Sequence, residues 1–130
     1  MRNSMNLLDS SVIISLFRKE ETNHRKACEI FANLQGFIII DYVLSEVATV
    51  LRLREGLRIA TKAVTLLKWN TDVEIIRLTD GELEMTTHLF LREKTQLSFV
   101  DASLLILAKK RKLRLVSFDI DLQKISSLDK

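Results

Sequence analysis

Four acidic residues stand at or beside the edges of apolar segments, although they are far apart in the chain: Asp9, Glu46, Asp101 and Asp119. Their local sequences are LLDSSVIISLF, VLSEVATVLR, LSFVDASLLILAKK and LVSFDIDLQKI. Carboxylates gathered in apolar surroundings repel one another unless a cation binds them. Carboxylate oxygens suit Mg²⁺ or Mn²⁺, which promote phosphodiester hydrolysis by activating a water and neutralising charge on the phosphate. The pattern therefore predicts a metal site.

Each acid taken singly also has a plainer interpretation. Asp9 could cap the helix that follows it, Asp101 stands three residues after Ser98 as in a capping box, and Glu46 could be surface charge. Two features favour a site. Asp9 and Asp101 are flanked by strongly apolar residues, where an unpaired charge is costly. The segment after the last strand also carries a second acid, Asp121.

The elements that must position these residues follow from the apolar periodicity. Short apolar runs alternate with longer helical patterns, which predicts an α/β fold built on a parallel sheet. The predicted strands are Met5 to Asp9, Gly36 to Asp41, Val73 to Arg77 and Leu113 to Phe118. The predicted helices run from Val12 to Arg18, from Thr22 or Asn23 to about Leu34, twice within Val43 to Lys68 with a break near Gly56, and onward from Asp80 and Ser98. Strand carboxyl ends and helix amino ends share one edge of such a sheet, so all four acids can converge there, with Glu46 and Asp101 in the first turns of their helices.

Composition indicates one domain over residues 1–130, because 130 residues are enough for a single core. No apolar run approaches the ~20 residues that a membrane-spanning helix needs, so we expect no membrane association. The single cysteine, Cys28, lies in a helical pattern that predicts a buried thiol, and its isolation favours a reducing compartment. Together these features predict a cytoplasmic protein.

The charge distribution favours a polyanionic partner. The net charge is +3, and without the four acids it would be 3 + 4 = +7. An anionic pocket in a cationic body suits a nucleic acid held through a bridging metal. Four basic residues are candidate RNA contacts: Arg52, Arg54, Lys109 and Lys110. They could equally be solvated helix faces, and cations are favourable near helix C-termini in any case.

With these segments in view, the chain resembles PIN-domain proteins, most closely the VapC-type toxins of prokaryotic toxin–antitoxin pairs. The resemblance covers nearly the whole length. PIN domains open with a strand ending Asp-Thr-Ser or Asp-Thr-Asn, carry a glutamate in a helix after the second strand, a third acid at the start of a late helix, and a Thr/Ser-x-Asp motif after the next strand. The matching residues are Asp9 with Ser10, Glu46, Asp101, and Ser117 with Asp119.

The resemblance implies a metal-dependent endoribonuclease with a three-layer α/β/α fold around a parallel sheet of four to five strands. It also implies a homodimer that a small antitoxin protein neutralises. The four acids would bind Mg²⁺ or Mn²⁺, with Ser10 and Ser117 as hydrogen-bonding support and Asp121 as a less regular fifth acid. Position 11 is serine where many relatives have asparagine, and the family's common proline before the glutamate is absent.

Two alternatives within the family stay open: a housekeeping RNA-processing nuclease, and a non-catalytic RNA-binding or scaffold module. The mark of the second would be the loss of one of the four acids, and none is lost. Phosphate chemistry of other kinds fits poorly. A receiver-type regulator would need paired acids early and a lysine after a late strand, and a haloacid-dehalogenase-like phosphatase needs Asp-x-Asp where this chain has DSS.

Overall fold

Four short parallel strands form the sheet in this computed structural model, which describes residues 5–92 and 96–128, and of residues 121 and 126–128 the backbone alone. The strands are β1 (Asn6–Leu8), β2 (Phe37–Ile40), β3 (Val73–Ile76) and β4 (Arg114–Val116). The helices are α1 (Ser10–Phe17), α2 (His24–Asn33), α3 (Asp41–Glu55), α4 (Leu57–Trp69), α5 (Asp80–Arg92), α6 (Phe99–Lys110) and α7 (Ile120–Leu128). None of the helices in this described part has the length and apolarity to cross a membrane.

The strand order is β3-β2-β1-β4, and every neighbouring pair is parallel. The chain steps from β1 to β2 to β3 in one direction and then returns to the other side of β1. Because crossovers between parallel strands are right-handed, the return reverses the face on which the connecting helices lie. Helices α1 to α4 accordingly pack with one another, and α5 packs with α6. The predicted three-layer α/β/α arrangement is confirmed.

The core lies on both faces of the inner strands. All four residues of β2, Phe37–Ile40, are buried, and Leu7 and Leu8 of β1 are fully buried. A strand covered on both faces has no polar side, which explains the continuous apolar run FIII. Burial on both faces holds β1 rigidly, and the position that directly follows β1 is therefore well fixed.

The predicted break near Gly56 is confirmed. Its backbone φ is +92°, a region that residues with a Cβ rarely adopt, and its N–H donates to the carbonyls of Leu51 and Arg52 at 3.1 and 3.2 Å. Helix α3 ends there and α4 begins at the next residue. The two helices therefore form a tightly turned pair.

Several sequence predictions need correction. Helix α1 begins at Ser10 rather than Val12, because Asp9 occupies the capping position. Helix α3 begins at Asp41, which was predicted to end a strand, so Glu46 lies in the second turn and not the first. Cys28 is exposed, because Ala27 is the residue of α2 that faces the core. Helix α7 was not assigned from the sequence.

An ion pair joins α5 to the end of α6. Glu82, which is 2% exposed, accepts from Arg111 Nη2 at 2.6 Å and Nε at 2.9 Å, and from the Thr79 N–H at 2.9 Å. The same guanidinium donates to the carbonyl of Arg77 at 2.9 Å. The hydrogen bonds from Arg111 lower the pKa of Glu82 to about 2. Because Arg111 directly follows α6, the pair fixes the packing of that helix on α5.

We expect Glu82→Gln to lower the free energy of unfolding at pH 7 by about 2 kcal/mol, because the charge-assisted bonds to Arg111 are lost. Glu84→Gln is the matched control. Its partner His88 is 3.6 Å away and both side chains are exposed, so little should change. The deficit of Glu82→Gln should shrink as the pH falls below the ordinary carboxyl range towards 2, where Glu82 itself is protonated. Equal losses in the two variants, measured by urea unfolding, would contradict this assignment.

Candidate metal centre

The site begins where β1 and β4 end side by side. Leu8 pairs with Val116, so Asp9 and Ser117 are the next residues on adjacent strands, and the Asp9 N–H donates to the Val116 carbonyl at 3.0 Å. Of these two neighbouring strands, β1 leads into α1, whereas β4 is reached by the crossover on the opposite face. This is the switch point at which open α/β sheets bind ligands.

Asp9 is the most fully constrained of the four acids. Its Oδ1 accepts from the Ser10 N–H at 2.7 Å, and its Oδ2 accepts from the hydroxyls of Ser11 at 3.1 Å and Ser117 at 2.7 Å. The side chain is 6% exposed. A buried carboxylate needs such donors to compensate for lost hydration. Together with the Ser10 hydroxyl, 3.4 Å from Oδ1, these donors fix the orientation of both oxygens.

The same hydroxyls fix the loop after β4. Ser117 Oγ accepts from the Asp119 N–H at 3.0 Å, and Ser11 Oγ accepts from the Phe118 N–H at 3.1 Å. Asp119 Oδ1 in turn accepts from the Leu122 N–H at 3.0 Å, which caps α7. Asp9 and Asp119 are therefore joined through one serine. Asp121 belongs to α7, and its side chain lies outside the part of the chain that the structure describes.

Asp101 forms the predicted capping box at the start of α6. Its N–H donates to Ser98 Oγ at 3.0 Å, and its Oδ2 accepts from the Ser98 N–H at 3.3 Å. Burial raises the pKa of Asp101, the Ser98 N–H opposes this, and the negative charges of Asp9 and Asp119 raise it further. Asp101 is thus both part of a helix cap and a neighbour of the other acids.

Glu46 completes the group from the second turn of α3. Burial raises its pKa, a hydrogen bond from the Ser10 side chain opposes the shift, and the charges of Asp9 and Asp101 add to it. Neighbouring negative charges therefore raise the pKa values of two of the four acids, Glu46 and Asp101. Such mutual repulsion is what a bound cation would relieve.

One cavity of about 790 Å³ brings the predicted residues together: Asp9, Ser10, Glu46, Asp101 and Asp119 all line it. Of the four candidate RNA contacts, Arg54 also lines it. Arg52 does not, and Lys109 and Lys110 lie in the last turn of α6, at the end opposite to Asp101. No role in the metal site was predicted for Ser11 from the sequence, although the run Asp-Ser-Ser offered a second hydroxyl near the carboxylate.

The donor set fits a hard divalent cation. Among the side chains that the structure describes, no three of His, Cys, Asp or Glu stand close enough to hold an ion together. Mg²⁺ does not require this, because it usually keeps several waters and takes one or two carboxylates directly. The oxygens of Asp9, Asp101, Asp119 and Glu46, in one cavity with raised pKa values for Asp101 and Glu46, meet that requirement.

Comparison with known proteins supports the fold. The model of the PIN domain matches residues 7–128. The crystal structure of VapC20 from Mycobacterium tuberculosis, described as a sarcin–ricin loop cleaving toxin, is similar at 24% identity and a TM-score of 0.85, over 92% of this chain and 94% of that one. A toxin–antitoxin complex from Klebsiella pneumoniae is similar at 21% identity and a TM-score of 0.61, over 86% and 84%. At these identities the likeness shows the fold. No curated protein matches the chain.

We expect Asp101→Asn to leave the metal-free protein as stable as the wild type or slightly more stable. The substitution removes a disfavoured charge and keeps an oxygen that can accept from the Ser98 N–H. Ser98→Ala is the control, because it removes the cap and keeps the charge, and it should cost about 1 kcal/mol. Urea unfolding at pH 7 with chelator measures both. A clear loss of stability in Asp101→Asn would show that the carboxylate is structural.

The stability difference should also depend on pH. Because Glu46 and Asp101 have raised pKa values in the folded state, the folded protein binds more protons than the unfolded chain just above the ordinary carboxyl range. Stability without metal should therefore rise as the pH falls from neutral through these raised values. The stability advantage of Asp101→Asn over the wild type should shrink over the same pH range. A stability difference that does not change with pH would contradict the raised pKa of Asp101.

Proposed function

Because this chain belongs to the PIN-domain family, we propose that it is a metal-dependent endoribonuclease and the toxin of a toxin–antitoxin pair. One observation carries the proposal: four acids from four separate segments line one cavity at the switch point of the sheet. A non-catalytic module would be marked by the loss of one of these acids, and all four are present. A housekeeping RNA-processing nuclease would use the same site.

The proposed roles of the side chains follow from their contacts. Asp9, Glu46, Asp101 and Asp119 bind Mg²⁺ or Mn²⁺, directly or through water. The ion supplies water activation and neutralises the charge that develops on the phosphate. The hydroxyls of Ser11 and Ser117 orient Asp9, and the Ser98 N–H orients Asp101.

Protonation links the acids to metal affinity. Glu46 and Asp101 bind the cation in their ionised forms, and their raised pKa values mean that protons compete with it. Metal affinity should therefore fall as the pH is lowered towards these values. Asp121 is a further candidate ligand on sequence grounds alone.

Protein partners belong to the same proposal. An antitoxin that neutralises the enzyme and a second copy of the chain both need apolar contact surface. Large exposed side chains support this, notably Leu53 at 79%, Trp69 at 70% and Leu91 at 74%. One of the similar structures is a toxin–antitoxin complex. We place the activity in the cytoplasm, which the single free thiol of Cys28 favours.

The test is cleavage of a mixed pool of transfer RNA and ribosomal RNA by purified protein. We expect discrete cuts that require Mg²⁺ or Mn²⁺, disappear with chelator and fall by on the order of 100-fold or more in Asp101→Asn. Asp101→Asn suits this purpose better than Asp9→Asn, because Asp9 accepts from several serine hydroxyls and a backbone N–H that hold the site together.

Either outcome is informative. Cutting that survives in Asp101→Asn would indicate a contaminating nuclease. No cutting with either metal, in a protein that still binds RNA, would refute the enzyme and favour the binding module. A neighbouring gene for a small DNA-binding protein would favour the toxin over the housekeeping nuclease.

A further inference from the structure

The cavity continues beyond the four acids as a groove between α1 and α3, two helices that pack together. The lining residues from α1 are Ser10, Ser11, Ile14 and Ser15, Arg18 directly follows that helix, and those from α3 are Glu46, Val50 and Arg54. Within each helix these residues recur mostly every three or four positions and so share one face. Glu46 and Arg54 are eight positions apart, about 12 Å along the helix axis. The groove therefore leads from the acids to Arg54.

The two arginines in the lining differ in their partners. Arg18 is held by Glu55 at 2.9 Å, by Glu21 at 3.4 Å and by Glu20 at 3.6 Å. Its charge is already compensated. Arg54 has no carboxylate within ion-pair distance among the residues that the structure describes, and it is exposed. Of the two arginines in this lining, Arg54 is thus the one whose guanidinium is available to bind an anionic ligand.

The middle of the groove has a different character. Ile14 and Val50 are half-buried apolar residues between the acidic end and Arg54. Such a surface suits a ribose or a base rather than a phosphate. Axes of packed helices lie about 8–10 Å apart, so a groove between them admits one strand and not a duplex. The acids, the apolar residues and Arg54 therefore follow one another in the order of a scissile phosphate, a nucleoside and a phosphate further along the strand.

We propose that a single RNA strand lies along the groove between α1 and α3, with the scissile phosphate at the acids and a phosphate further along the strand bound by Arg54. The proposal rests on the proposed function. A guanidinium can hold two phosphate oxygens at once, which fixes the position of the strand as well as attracting it. Arg54 is then a positioning residue that sets which bond meets the acids.

Arg52 provides the matched comparison. It lies on the same helix, carries the same charge and is also exposed, but two positions correspond to about 200° around an α-helix. It therefore does not line the cavity. Arg52→Ala measures the long-range effect of removing one positive charge. Arg54→Ala should exceed that effect.

The experiment compares both variants on a single-stranded oligonucleotide that contains a cleavage site mapped in the RNA pool. We expect Arg54→Ala to lower kcat/KM roughly 10-fold more than Arg52→Ala, mainly through KM. In Arg54→Ala the plot of log Kobs against log salt concentration should become less steep by about 0.7, as for one lost phosphate contact to a single strand. Annealing the oligonucleotide to its complement should weaken binding to the wild type.

A methylphosphonate scan locates the contact. Neutralising one phosphate at a time should reveal one position, away from the scissile bond, at which wild type and Arg54→Ala become equal. Equal effects of the two arginine variants, or the lack of such a position, would overturn the proposal. The proposal would also be overturned if Arg54→Ala left the kinetics of RNA cleavage unchanged but abolished the binding of a protein partner. The groove would then belong to that partner.

Failure of the proposed function is distinguishable from failure of the groove. If the wild type leaves the RNA pool uncut, the nuclease assignment fails. Binding of fluorescein-labelled oligouridine to Asp101→Asn, with and without Arg54→Ala, then still tests the groove by fluorescence anisotropy. A 10-fold weaker Kd in the double variant would support the groove, and an equal Kd would refute it.

Discussion

Repulsion among four carboxylates at one edge of the sheet is the constraint on which the rest of this structure depends. The fold meets it in two ways. Hydroxyls and the Ser10 backbone N–H surround Asp9, the most buried of the four acids. In addition, Asp9, Asp101 and Asp119 lie at the N-termini of α1, α6 and α7, where the helix dipole favours negative charge. Burial raises the pKa values of Glu46 and Asp101, and the repulsion that remains raises them further.

Capping and site formation are therefore one arrangement and not two competing explanations. The oxygen that accepts from a helix N–H leaves the second oxygen of the carboxylate for other contacts. Asp101 shows this most clearly, since its Oδ2 closes the capping box while the residue still senses the charges of Asp9 and Asp119. The helices thus orient the carboxylates, and the carboxylates in turn begin the helices.

The sequence predicted the strands to within one or two residues, because a doubly covered strand such as FIII has no other interpretation. Convergence of the four acids was predictable too, since parallel topology sends strand ends and helix starts to one edge. Contacts between distant side chains were not. The resemblance implied that Ser117 supports the acids, but nothing in the sequence identifies Asp9, 108 positions away, as its partner, or pairs Arg111 with Glu82, 29 positions away. The rotation of each helix also determines that Arg54 rather than Arg52 lines the cavity, and that Ala27 rather than Cys28 faces the core. In both cases only one or two positions separate the two faces.

The double use of aspartate as helix cap and site residue bears on how such a chain can evolve. Asparagine caps helices about as well as aspartate, and the two codons differ by one base. A single transition at Asp101 or Asp119 can therefore yield a chain that keeps its helix starts, its sheet and its groove while losing a charge that the proposed chemistry needs. Folded and inert descendants are then one mutational step from the ancestor, and a lineage can retain the binding surface long after selection on the chemistry has ended.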